Sequence, residues 1–374
     1  MEPFKNAISP DVVRLTGHLL AQHLDGFDDD AFTRKLVPQL EPLALKERVG
    51  LIAAELHSVL PRAHQKRYKI MRAMLHPESQ SIVCESSEAG LSGWAIWPLT
   101  QVVGAHGLDD FEASLNVLRD MTNRFTAEFD VRPFIVQDQE KALGIITSWV
   151  NDPDPHVRRL VSEGTRPRLP WGVQLKALVA DPKPMLATLK ALRDDPSEYV
   201  RRSVANHLND IAKDHPDLVA HLAQEWLQDA SKEREKLVRH ACRTLIKQGH
   251  PGVLAAFGLK PPEIAEPDIR LKSSAVEFGG ALEFDVTLRS EAEEPQSLVI
   301  DYVIHFLKAN GTLAQKVFKW SKLELGAGET RDMSRKHAIK PITTRVYYNG
   351  VQKLSLRING RDFEPVAFEL TGVT

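Results

Sequence analysis

Residues 152–159 read DPDPHVRR, and residues 195–202 read DPSEYVRR. Both open on an Asp-Pro step and close on Val-Arg-Arg. A weaker third copy is Lys236-Leu237-Val238-Arg239-His240. The equivalent valines, Val157, Val200 and Val238, lie 43 and 38 residues apart. A period of this length is that of a helix pair. Pairs that cannot bury their apolar faces alone stack into a HEAT-like solenoid. In such a stack the arginines of equivalent helices form ridges on the concave face. The slot six residues after each valine holds Glu163, then Asn206, then Thr244. One carboxylate therefore stands where its counterparts are neutral. A carboxylate in an arginine-lined groove weakens phosphate binding, so its presence points to chemistry.

Local signals agree with a helix here. Asp154 before Pro155 is an N-cap followed by a first-turn proline. Val157, Leu160 and Val161 share one face, and Arg159 stands four residues before Glu163, making them surface neighbours. Gly164 is the expected stop. Thr165-Arg166-Pro167-Arg168-Leu169-Pro170-Trp171 follows, and its two prolines push Arg166 and Leu169 towards extended conformations. A short helix with one carboxylate thus leads into a stiff segment carrying two arginines and a tryptophan. Such a mixture can hold a polyanion, a cation and an apolar ring face together. The plainer reading is an interhelix loop with a local ion pair, and surface pairs are weak.

N-terminal to the repeats, residues 1–120 read as helical. Asp11 to Leu20, Leu45 to Leu60 and Lys66 to Leu75 carry apolar positions at helical spacing, and Asp109 to Met121 turns Phe111, Leu115 and Leu118 inward. Trp94 and Trp97 read as core aromatics. In residues 124–134 an arginine, Arg124, again precedes a glutamate, Glu128, by four, and Arg132-Pro133 follows. The two glutamates are 35 residues apart, within the range of helical repeats.

Near residue 258 the composition changes. Residues 258–267, GLKPPEIAEP, read as a linker. Beyond it the period becomes two: Leu282, Phe284, Val286 and Leu288 alternate with polar residues, as do Leu298, Ile300, Tyr302, Ile304 and Phe306. Asn310-Gly311, Asn349-Gly350 and Asn359-Gly360 are turn signals. About seven short strands in roughly 110 residues suit an immunoglobulin-like β-sandwich. The reading is therefore an all-α HEAT-like domain over residues 1–258 and an all-β immunoglobulin-like domain over residues 266–374.

The chain has 374 residues and a net charge of −2, which argues against a generic polyanion binder. The distribution is uneven: −4 over residues 1–120, +3 over 121–260 and −1 over 261–374. The positive excess lies with the arginine-rich helices and matters if those arginines share a face. Cys84 and Cys242 are the only cysteines, which suggests a reducing compartment and is too few for a thiolate zinc cage. With no signal-peptide core and no membrane-length apolar run, a cytoplasmic location is expected.

FTAEFDVRPF (125–134), with its preceding Arg124, HVRRLVSEGTRPRLPWG (156–172) and YVRRSVANHLNDIAKDHP (199–216) closely resemble the AlkC branch of the HEAT-like DNA alkylation-repair glycosylases, related to AlkD. A helical solenoid followed by an immunoglobulin-like domain also resembles one AlkC subgroup. The resemblance implies a monofunctional glycosylase acting on alkylated double-stranded DNA. It would remove N3-alkylated bases such as 3-methyladenine and 3-methylcytosine without drawing the lesion into a pocket, unlike base-flipping enzymes. An N3-alkylated adenine is already cationic and leaves as a neutral base. A fixed carboxylate would stabilise positive charge developing on the deoxyribose and position water. No metal or other cofactor is implied, and no lysine nucleophile motif calls for Schiff-base chemistry.

Carried over, Glu163, Glu128 and Trp171 match the family's SEG, AEF and LPW positions. Glu163 is assigned to the oxocarbenium ion and water, and Glu128 to support or contact with the cationic base, with exchange of the two roles left open. Trp171 offers its face to the sugar or base. Arg159 holds Glu163 or binds a phosphate. Arg158, Arg166, Arg168, Arg201, Arg202 and His207 are assigned to backbone phosphates. The plain alternatives are a core role for Trp171, a structural pairing of Glu128 with Arg124 or Arg132, and a satisfied structural histidine at 207. A monomer is expected. The rival reading is a non-catalytic HEAT scaffold that binds DNA or protein.

Overall fold

The structure is a computed structural model that describes residues 4–77, 85–343 and 345–373; Cys84 lies outside the described residues. The chain divides into two compact units, one formed by Met1–Asp214 with Ala230–Ala241 and the other by His215–Asp229 with Cys242–Thr374.

The first unit is helical. Its elements are α1 (Pro10–Ala21), α2 (Asp29–Leu36), α3 (Leu45–Val59), α4 (His64–Ala73), α5 (Trp97–His106), α6 (Phe111–Thr122), α7 (Arg132–Gln137), α8 (Gln139–Thr147), α9 (Pro155–Glu163), α10 (Lys176–Ala180), α11 (Lys183–Leu192), α12 (Glu198–Ile211) and, after the interposed α13 (Pro216–Leu227) of the second unit, α14 (Lys232–Ala241). The repeated helices α9, α12 and α14 pack side by side, α12 in the middle. Val157, Val200 and Val238 are all buried between them, each contributing roughly 1.5–3 kcal/mol. Phe111, Leu115 and Leu118 of α6 face the core as the spacing predicts, and Trp97 is buried, while Trp94 is half-buried against Trp97 and Phe125.

The Asp-Pro and Val-Arg-Arg ends of the repeat have separate jobs. The first arginine of each copy closes its own loop. Arg158 donates to the carbonyls of Asp152 (2.8 Å) and Pro153 (3.0 Å), and Arg201 donates to those of Asp195 (2.5 Å) and Pro196 (3.0 Å). The aspartate of each Asp-Pro step is gripped from a helix further back in the chain. Arg119 on α6 holds Asp152, and Arg158 on α9 holds Asp195 through two bonds of 2.7 and 3.0 Å. An ion-pair ladder thus sets the register between successive helices.

Two expectations need correction. The third copy is truncated: α14 ends at Ala241, so Thr244 does not occupy on α14 the place that Glu163 takes on α9. Arg124 and Glu128 are not a helical pair. Both lie in the turns between α6 and α7, and Arg124 donates to the carbonyl of His76 at 2.9 Å. The 35-residue offset therefore reflects no equivalent position.

In the second unit α13, α15 (Arg243–Gln248) and α16 (Pro251–Ala256) accompany the β-sandwich. One sheet has the order β1 (Asp268–Leu271), β3 (Ala281–Arg289), β6 (Thr330–Ala338). The other runs β2 (Ala275–Glu277), β9 (Val366–Thr371), β7 (Gly350–Ile358), β4 (Gln296–Leu307), β5 (Leu313–Leu325), with β8 (Arg361–Asp362) pairing β7. The alternating residues of β3 and β4 fill the core between the sheets. Asn310-Gly311 and Asn359-Gly360 form the turns after β4 and β7, whereas Gly350 opens β7 itself. No helix among the described residues is long and apolar enough to cross a membrane.

Candidate active site

Asp154 caps α9 by accepting from the amide of His156 at 2.7 Å, with Pro155 in the first turn. The helix ends at Glu163, and Gly164 follows at φ −64°, so no left-handed stop is needed. The glycine serves packing, because a Cβ there would lie 2.7 Å from Val131 Cγ2. The segment after it is held from beneath by Arg132, which is fully buried. Its guanidinium donates to the carbonyls of Gly164 (2.9 Å), Arg166 (2.9 Å) and Val173 (2.6 Å). Burial, reinforced by Arg166, pulls the Arg132 pKa down to about 10, which leaves it cationic at neutral pH.

At the end of this pinned segment Trp171 is 63% exposed, with φ +66°. An exposed indole on a left-handed, non-glycine backbone costs about 1–2 kcal/mol. Such strain concentrates at binding and reaction sites. Lys46 steadies it, donating to its carbonyl at 2.8 Å with Nζ 5.9 Å from the ring centroid. Trp171 is therefore not a core aromatic.

Glu128 and Glu163 meet on one guanidinium. Arg159 hydrogen-bonds Glu128 Oε2, lies 3.5 Å from Glu163 Oε1 and donates to the Thr126 hydroxyl at 2.8 Å. Thr126 in turn donates to Glu128 at 2.8 Å. Glu163 also accepts from Arg166 (2.5 Å) and from Ser203 on α12 (2.6 Å). Arg166 continues to Asp210 at 2.8 Å, and Lys213 reaches Asp210 at 3.0 Å. Burial alone would raise the Glu163 carboxyl. Arg159, Arg166 and Ser203 outweigh it and hold the group ionised below the ordinary carboxylate range. For Arg159, burial is likewise outweighed by Glu163 and Glu128, so its pKa is raised. The ring of Tyr199 covers this guanidinium at 5.2 Å. The pairing of Glu128 is with Arg159, not with Arg124 or Arg132.

The other expected phosphate contacts fall into three groups. Arg158 and Arg201 spend donors on loop carbonyls, and Arg166 is buried between Glu163 and Asp210. His207 is fully buried: its Nδ1 donates to the Ser162 carbonyl at 2.9 Å, and burial lowers its pKa to about 4, so the ring is neutral. The donors of these four residues are turned to acceptors within the protein. Arg168 is partly exposed and paired with Asp214 at 2.7 and 2.8 Å. Arg202, the second arginine of its repeat, is exposed and lines a cavity of about 380 Å³ with Arg201, Lys236 and His240 between α12 and α14.

Residues 265–372 match the family model for the C-terminal immunoglobulin-like domain of the uncharacterised protein YhaZ. The uncharacterised protein YhaZ of Bacillus subtilis (strain 168) is 37% identical over 329 residues, 88% of each chain. A Pseudomonas fluorescens alkylpurine DNA glycosylase, AlkC, solved bound to DNA containing an abasic site analog, is 32% identical, with a TM-score of 0.83 over 99% of this chain and all of that one. The chain belongs to the AlkC family. The sequence pattern singles out Glu128, Glu163 and Arg159, and misses Thr126, Ser203 and Arg132 around them. Ser203 and Tyr199 flank Val-Arg-Arg in the second repeat, so a residue one turn before the Asn206 slot was the available signal for Ser203. Arg132, inside FTAEFDVRPF, gives no signal of its three carbonyl contacts, because backbone acceptors leave no sequence pattern.

Proposed function

We propose that this AlkC-family chain is a monofunctional DNA glycosylase that hydrolyses the N-glycosidic bond of cationic N3-alkylated bases, 3-methyladenine and 3-methylcytosine, in duplex DNA. The observation that carries the reading is the pair of carboxylates, Glu128 and Glu163, held on the single Arg159 guanidinium. The likeness to the AlkC glycosylase spans both of them.

An N3-alkylated base departs neutral, so the reaction needs no general acid. It needs a fixed negative charge near the deoxyribose as that sugar becomes an oxocarbenium ion. Glu163 is ionised and immobilised by three partners, so it requires little reorganisation as charge develops. It also aligns the attacking water. Glu128 shares Arg159 and contacts the cationic base or supports Glu163. Trp171 offers an indole face to the base or sugar, a cation–π contact worth about 0.5–2 kcal/mol. The lesion remains stacked, since the charge to be stabilised is on the sugar and not within a base pocket. Arg202 and Arg168 hold phosphates, and the helical domain, residues 1–258, carries the chemistry, with residues 266–374 as an accessory to DNA engagement.

The test is release of free base. Purified protein incubated with methylated duplex should liberate 3-methyladenine and 3-methylcytosine and leave abasic sites. Duplex binding without any base release would favour a non-catalytic scaffold.

A further inference from the structure

We infer that a second pocket in the helical unit, formed by the C-terminal ends of α3 and α5 and the start of α4, binds a phosphate group. The cavity, of about 680 Å³, is lined by His57, Ser58, Arg62, His64, Arg67 and His106. This inference is independent of the glycosylase reading.

Arg67 carries the argument. It is only 3% exposed, and its one hydrogen bond is from Nε to the Pro61 carbonyl at 2.9 Å. Its terminal amino groups make no hydrogen bond among the described residues, and the residue lines the cavity. A buried guanidinium without a carboxylate is costly, and its planar fork of donors suits a tetrahedral oxyanion. Arg62 lines the same space, exposed. The rings of His57 and His106 stack with centroids 3.5 Å apart and planes 12° from parallel. The one acidic group lining the cavity, Asp109, is engaged by His64 Nε2 at 2.9 Å, and His64 Nδ1 meets the Tyr68 hydroxyl at 2.9 Å. That carboxylate is hydrogen-bonded to His64 and not to Arg67, which acts on it only through its charge. At the start of α4, Ala63 gives no side-chain cap and the first turn holds no acidic residue, which adds the positive end of a helix dipole.

Two arginines and two free imidazoles match a phosphate dianion and exceed what a single chloride or carboxylate would use. Burial, then the neighbouring groups, lowers the pKa of both imidazoles in the free protein: His106, Arg67 and Arg62 act on His57, and Arg67 acts on His106. A bound anion reverses that sign, so binding takes up protons. The shared chemistry is a phosphate oxyanion, from either a free phosphate or the backbone of DNA.

The experiment titrates inorganic phosphate into the full chain at constant ionic strength set with chloride. Imidazole resonances, assigned with His57→Gln and His106→Gln, report the site, and calorimetry reports affinity. Saturable shifts of His57 and His106 are expected, with tighter binding at about pH 6 than at about pH 8. Arg62→Ala should weaken binding about tenfold without changing the melting temperature. Unmodified duplex DNA forms the second arm. If Arg62→Ala also lowers duplex affinity and the salt slope by about one unit, the ligand is a backbone phosphodiester; an unchanged duplex affinity identifies a free phosphate or phosphomonoester. The inference is overturned if neither phosphate nor duplex shifts the two histidines, or if the shifts are the same in Arg62→Ala.

Discussion

Replacing Arg159 with methionine removes the one cation shared by Glu128 and Glu163. It removes a charge-assisted bond to Glu128, an ion pair of 3.5 Å to Glu163, a bond of 2.8 Å to Thr126 and the contact with Tyr199 at 5.2 Å. Charge-assisted bonds contribute about 1.5–3 kcal/mol each, and the desolvation of Arg159 offsets part of the sum. Breaking a buried pair from one side costs about 3–5 kcal/mol. The cost falls unevenly. Glu163 keeps Arg166 and Ser203, whereas Glu128 keeps only Thr126 among the side-chain contacts described above. Most of the penalty is therefore the charge stranded on Glu128. Adding Glu128→Gln to Arg159→Met should recover stability, with a coupling energy of about 1.5–3 kcal/mol in a double-mutant cycle measured by urea unfolding and intrinsic fluorescence. The pH dependence should change as well. A depressed carboxylate stabilises the fold above its unfolded pKa, and that contribution is lost as pH falls through the folded value. Without Arg159 the folded value of Glu163 rises, so the acid limb of stability moves to higher pH. Additivity of the two substitutions within about 0.5 kcal/mol would refute the shared-cation account.

Trp171→Ala should leave stability within about 0.5 kcal/mol of wild type, because the indole is 63% exposed, yet lower single-turnover excision about tenfold or more; a large loss of melting temperature would point to a packing role. Asp130 is buried, Oδ2 has no hydrogen-bond partner among the described residues, and burial raises its pKa to about 7 against the pull of Thr100. The folded state then holds a proton that the unfolded state has lost, so Asp130 costs stability as pH rises from about 4 to about 7. Asp130→Asn should raise the melting temperature more at about pH 8 than at about pH 5, and an equal effect at both would count against it. Arg202→Ala should weaken duplex binding on all sequences alike and lower the salt slope by about one unit; a loss confined to lesion DNA would assign the residue to recognition of the damaged base.

The repeat was legible because Asp-Pro and Val-Arg-Arg each satisfy a local geometric need, and the same need recurs in the next helix pair. The spacing of Arg159 and Glu163 on one helix was legible for the same reason. The roles of the arginines were not. Arg158 and Arg201 read as phosphate ligands from the repeat and the family resemblance, but Arg201 meets loop carbonyls, and Arg158 meets loop carbonyls and Asp195, 37 residues on. Glu128 joins Arg159 through a turn, across 31 residues, so periodicity could not pair them. Trp171 was ambiguous because a tryptophan after two prolines is compatible with a core or an exposed ring. Its 63% exposure, at φ +66°, is a property of the folded backbone. The strands of the sandwich were readable from alternation, whereas the grouping of α13, α15 and α16 with them depends on long-range packing.

The measurement closest to the central claim is single-turnover release of 3-methyladenine from duplex DNA by Glu163→Gln, paired with the affinity of that variant for the same duplex. The account predicts a loss of about 10²-fold or more in the rate of release. Duplex affinity should stay unchanged or rise, because a negative charge has left an arginine-lined groove. Base release near the wild-type rate by a folded, DNA-bound Glu163→Gln protein would contradict it.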